Sequence, residues 1–247
     1  MAASVVPDPS ALMSALDLHT PLIGLYDAPD PDAFAPLVTP TNGARRGQCL
    51  FHFYKRWEKG ETLHLTADNF GCGGCGRSLF GVTFRERDDF IDFLWKDEGL
   101  RASRELMATY VDNAPTYRPV NAHVLVGPLR DDHAECLKTV TFWVNTDQLS
   151  VLQHGAYHHQ AWGDPDPVTV PFGAGCSELV VPFRDLERPQ AVIGGTDIAM
   201  RDGLPAGVLA FTVTVSMFAQ LCALGDDSFL GKGFLKRLRA ARGGSLG

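Results

Sequence analysis

Apolar and polar positions change period repeatedly along the chain, and the changes predict a mixture of helices and strands. Ser10–Leu16 repeats at helical spacing, with Ser10 placed to cap it. Pro21–Tyr26 reads as a strand, and Ala28–Asn42, punctuated by Pro29, Pro31, Pro36 and Pro40, as a loop. Gln48–Lys59 is amphipathic with a 3.6-residue period and stops at Gly60. Glu61–Thr66 alternates as a strand and runs into Asp68-Asn69-Phe70-Gly71. Asp88–Asp97 and Ala102–Val111 read as helices, His123–Val126 and Thr139–Val144 as strands, and Asp147–Trp162 as a helix capped by Asp147. Val168–Pro171 enters Gly173-Ala174-Gly175-Cys176. Gly207–Val215 alternates, Phe218–Ala223 is helical, and a basic helix from Gly231 frays into Gly243-Gly244. The expected fold class is α+β or α/β mixed, as a single compact domain over residues 21–225. An N-terminal helix or arm (1–20) precedes it and a basic C-terminal tail (226–247) follows.

Two stretches of this map resemble each other. Residues 21–85 read strand, helix, strand (Leu63–Thr66), then a Gly-rich turn with Cys72; residues 139–185 read strand, helix, strand (Val168–Pro171), then a Gly-rich turn with Cys176. The match suggests a degenerate internal pseudo-repeat with Cys72 and Cys176 as counterparts. Strand–helix–strand units also recur in any mixed chain without common ancestry.

Composition narrows the function. The 247 residues are 45% hydrophobic and 21% charged, ordinary for a globular protein that needs neither disulfides nor metals to fold. With 22 basic against 29 acidic residues the net charge is −7, which argues against nucleic-acid binding. The only basic run, Lys232–Arg242, is too small to overturn this. Met1–Asp17 carries no signal-peptide pattern and no window reads as a membrane span, so the expected location is cytoplasmic. Six cysteines there would be thiols, ligands or redox centres rather than staples.

The sharpest local signal is Phe70-Gly71-Cys72-Gly73-Gly74-Cys75-Gly76. Sulfurs at i and i+3 can converge on one metal or cluster, and flanking glycines free backbone N–H groups to donate to them. Cys49, which opens the helix before the motif, and Cys176, in its own glycine turn, could complete a four-thiolate site with Cys72 and Cys75. An iron–sulfur cluster, [4Fe-4S] favoured, is the leading expectation, its partner a small-molecule substrate or a redox partner. Zinc is the lesser one, because it normally needs a second close pair of ligands. A thiol–disulfide redox pair at Cys72 and Cys75 is the chief alternative, and a non-catalytic ligand-binding protein with structural cysteines is another. Cys222 reads as a core thiol, and Cys136 as without a role.

The eight histidines give weaker signals. His154 and His158 share a helix face but lack the Glu of a zinc-protease motif, so a solvated face is expected. His52 lies one turn from Cys49, within reach of the same site as a ligand-orienting group. His64 alternates with Leu63 and Leu65 and so faces a polar pocket or away from the core; His123 reads as structural. Ile193-Gly194-Gly195-Thr196-Asp197 reads as a turn that places Arg201 either toward an anionic ligand or in a loop ion pair. No Walker loop, dinucleotide fingerprint or nucleophile elbow is present.

Taken in order, Cys49, Gly60, Asp68-Asn69-x-Gly-Cys72-x-Gly74, Gly127-Pro128-Leu129, Gln148-Leu149, Gly173-Ala174-x-Cys176 and Asp197-x3-Arg201 resemble the domain of unknown function 169 family of bacteria and archaea. The resemblance runs from Pro21 to Ala223. It implies a shared site of three cysteines, Cys49, Cys72 and Cys176. Cys75 departs from the family pattern, as a local fourth ligand or a bystander.

Overall fold

Eight short segments, the longer ones buried on both faces, build one sheet. The computed structural model describes residues 5–39, 49–69, 85–114, 117–171 and 187–247, with only the backbone described at 199. The strands are β1 (Ile23–Asp27), β2 (Leu37–Val38), β3 (Thr62–Leu65), β4 (Val124–Pro128), β5 (Leu137–Val144), β6 (Val168–Thr169), β7 (Ala191–Gly194) and β8 (Leu209–Thr214). Their order is β2-β3-β4-β1-β5-β8-β7-β6. The β2–β3 and β6–β7 pairs are parallel and the other five antiparallel. The mixed single-domain class read from the periodicity holds.

The order divides at its centre into two sets of four with the same connectivity. A half turn about the Gly24–Val140 pair carries Gly127 onto Val213, Leu63 onto Val192 and Val38 onto Thr169. The counterpart of β3 is therefore β7, not the edge strand β6 with which the sequence comparison paired it. Gly194 followed by Gly195 reads as a turn, which hid β7. The matched helices also differ in place, one joining β2 to β3 and the other β5 to β6. In chain order Cys49 and Cys176 each fall in the connection between a parallel pair.

Helices cover both faces. One face of the sheet presents Tyr26, Leu125, Val140, Phe142, Phe211 and Val213. The core built on it takes in Leu12 and Leu16 of α1 (Ser10–Leu16), Val151 and Leu152 of the helix Thr146–Ala156, and Phe218 and Leu221 of Val215–Cys222. The other face presents Ile23, Leu25, Leu63, Leu65, Val124, Val126 and Trp143, packed with a 3-10 turn (Leu50–Phe53) and α2 (Tyr54–Trp57). A smaller core joins α3 (Arg87–Asp92) to α4 (Arg104–Asn113) through Ile91, Leu94, Met107 and Val111.

Local chemistry corrects several expected boundaries. In α1 it is Asp8, not Ser10, that caps, its Oδ1 accepting from the Ser10 backbone N–H at 2.9 Å. Thr146–Ala156, here α5, starts from Asn145, whose side chain accepts from Asp147 and Gln148 while Gln148 bonds back. Val215–Cys222 is α6, capped by Thr214. The basic segment does not fray free: α7 (Gly233–Ala241) buries Leu235, and beyond it Leu246 is 3% exposed. Arg239 donates to the Ser14 and Ala15 carbonyls at the end of α1. The expected separate tail is thus part of the main core.

Candidate functional site

Cys49 is the one expected cluster ligand among the described residues; Cys72, Cys75 and Cys176 lie outside them. It precedes the Leu50–Phe53 turn, is 1% exposed, and is a free thiol in the core with Leu50, Phe51, Leu63 and Trp57. The same core holds an aromatic cluster. Trp143 stacks on Trp57 with ring centroids 5.9 Å apart, and Phe51 and Tyr54 meet it edge-on. The Trp57 indole N–H donates to the Val126 carbonyl at 3.0 Å. The Trp143 indole N–H is buried with no acceptor among the described residues, an unusual state for a buried donor.

His52 and Arg201 come to one neighbourhood but with structural roles. His52 Nε2 lies 3.5 Å from an Asp202 carboxylate oxygen, and its ring fills the space where a Cβ on Gly203 would stand. Arg201 belongs to the 3-10 segment Ile198–Gly203, and its guanidinium donates to the carbonyls of Gly195 (3.0 Å), Val208 (2.6 Å) and Pro205 (3.4 Å). It closes the β7–β8 connection from within, rather than through a carboxylate.

The other two described cysteines separate cleanly. Burial pushes the Cys222 thiol up to about 12, and burial together with Glu135 raises Cys136. Both are protonated at neutral pH and are poor nucleophiles and ligands. Cys222 packs only partly buried against the core. His154 and His158 lie exposed, as expected of a solvated face.

A second group of polar residues gathers where β3 ends and β4 begins. His64 Nε2 and His123 Nδ1 lie 2.9 Å apart, sharing one hydrogen bond. His123 also lines a cleft of ≈ 370 Å³ with Thr66, Ala67, Asp68, Arg118, Pro119, Asn121 and Ala122. One wall is anchored by Asp27, a 3% exposed carboxylate that accepts from the Tyr117 hydroxyl (2.6 Å), the Val120 N–H (2.7 Å) and Asn121. Sequence reasoning treated these histidines singly. Their pairing depends on the β3–β4 register, which sets His64 opposite Leu125 and brings His123 alongside.

Among the described residues no three His, Cys, Asp or Glu side chains converge as a metal site, and no helix is long and apolar enough to cross a membrane. The profile of the domain of unknown function 169 family, described as uncharacterised ArCR, matches residues 11–223. The chain belongs to this family. The match takes in every strand of the sheet, so the paired half-sheets, the Cys49 core and the β3–β4 cleft all lie within the part this DUF169 chain shares with its family. No curated protein and no solved structure matches it.

Proposed function

We propose that this DUF169 chain binds an iron–sulfur cluster through Cys49, Cys72 and Cys176, with Cys75 as the candidate fourth ligand. The observation that carries the reading is the setting of Cys49, a free thiol 1% exposed in an aromatic core where the Trp143 indole N–H has no partner among the described residues. A bound metal deprotonates a coordinating thiol outright. A buried donor with no acceptor suits a site whose sulfur atoms accept N–H hydrogen bonds. When bound, a three-cysteine cluster would supply an open iron acting as a Lewis acid toward a small molecule.

The chain's own residues would hold and shield that group. Phe51, Tyr54, Trp57 and Trp143 exclude water around Cys49.

Anaerobically purified protein is expected to be brown, to absorb near about 400 nm and to contain iron and sulfide. Cys49→Ser and Cys176→Ser should lose the colour, while Cys136→Ser and Cys222→Ser retain it. Colourless, iron-free protein overturns the reading. A Cys72–Cys75 disulfide in that metal-free protein would favour the thiol redox pair instead.

A further inference from the structure

The geometry points to a second site: we propose that the cleft between the end of β3 and the start of β4 binds a small oxyanion between Arg118 and a protonated His123, with His64 positioning the proton. The anion contacts proposed here need no cluster.

Three observations carry it. The first is the hydrogen-bond inventory of the histidine pair. His64 Nε2 and His123 Nδ1 share a single proton. Once the pair takes up one more proton from solvent, both outer ring nitrogens carry hydrogen. His123 must then present an Nε2–H donor, and Nε2 has no partner among the described residues. Two full positive charges at this distance would repel strongly, so the pair holds at most one extra proton.

The second is charge. Arg118 lines the cleft with His123, so among the described lining residues the singly protonated pair gives two cationic groups against one carboxylate, Asp68. Asp27 keeps its negative charge behind the cleft wall, but its oxygens accept from Tyr117, Val120 and Asn121 and so do not pair with the cationic groups. Asp32 is the one other acid that acts on His64, and it opposes the lowering of the His64 pKa by burial and by His123. The acceptor such a cleft suits is a carboxylate, sulfuryl or phosphoryl group.

The third is internal comparison. The half turn that relates the two half-sheets carries Thr66 onto Gly195 and the start of β4 onto the start of β8. There the Arg201 guanidinium bridges the Gly195 and Val208 carbonyls and fills the opening. The fold thus stoppers this position in one half and leaves it as a cleft lined by a bonded histidine pair in the other.

The test is titration of the full-length chain with sulfate, which does not change charge between pH 6 and 8, followed by imidazole and amide NMR shifts. Sulfate should move the His123 signals at pH 6 and bind about tenfold or more weakly at pH 8. Arg118→Met, at an exposed position, should weaken binding at pH 6 about tenfold or more. His123→Gln should abolish the pH dependence, and His64→Gln should shift its midpoint, with amide spectra showing the fold intact. The control His158→Gln should change nothing. A parallel acetate titration separates a carboxylate site from one that takes only tetrahedral anions. No shift at His123, equal affinity at both pH values, or full binding by Arg118→Met would overturn the proposal.

Discussion

Asp27 and Asn121 form a two-point clasp: Oδ1 of Asp27 accepts the Asn121 backbone N–H at 2.9 Å and its side-chain N–H at 3.0 Å. The clasp ties the end of β1 to the approach to β4 and so builds the cleft wall. Asp27→Ala leaves several donors unpaired and should cost about 3 kcal/mol in urea unfolding. Burial works to raise the Asp27 pKa, but the Tyr117, Asn121 and Val120 donors together hold it below the usual carboxylate range. A depressed folded pKa gives stability that is complete above the unfolded value, about 3.9, and is lost as pH falls through the folded one. Stability of the native chain should therefore drop in that acid window, and Asp27→Asn should flatten the drop.

The two stacked tryptophans should respond differently to the same change. Trp57→Phe breaks the buried bond to the Val126 carbonyl, whereas Trp143→Phe removes a donor that has no acceptor. Both lose similar ring area, so the difference isolates the hydrogen bond. Trp57→Phe should be the more destabilising by about 1–2 kcal/mol in denaturant melts. In cluster-loaded protein, Trp143→Phe should also shift the visible absorption or the potential.

Arg201→Met removes three carbonyl contacts at once and should destabilise by about 2–3 kcal/mol, read by thermal unfolding. His52→Gln, facing a largely exposed Asp202, should change stability by less than about 0.5 kcal/mol. If Arg201 instead oriented a ligand, its loss would impair ligand binding without lowering the melting temperature.

Alkylation of metal-free protein at about pH 8 should modify Cys222 slowly although it is partly exposed, because burial pushes its thiol up to about 12. Peptide mass mapping over time checks the rate against an unfolded control. Labelling of Cys222 in folded protein as fast as in the unfolded chain would contradict the raised thiol.

Short-range signals were well expressed. Alternation in Thr139–Val144 located β5, and the apolar stretch beginning Leu209-Ala210-Phe211 located β8. β2 and β7 were not legible, because Leu37–Val38 is flanked by prolines and β7 ends in two glycines. Each is a strand only because a neighbour supplies its hydrogen bonds. In the site, Cys49 was visible as a residue type at a helix start. Its dry aromatic surroundings were not, since Trp143 comes from a distant strand.

By itself the sequence determined the mixed element classes, the acidic balance and the grouping of cysteines near glycine turns, all of which depend on neighbours within a few positions. Tertiary structure decided the half-sheet correspondence, the internal use of Arg201 and the His64–His123 bond. Those follow from strand register, which joins residues far apart in the chain and is set by the packing of two whole sheet faces.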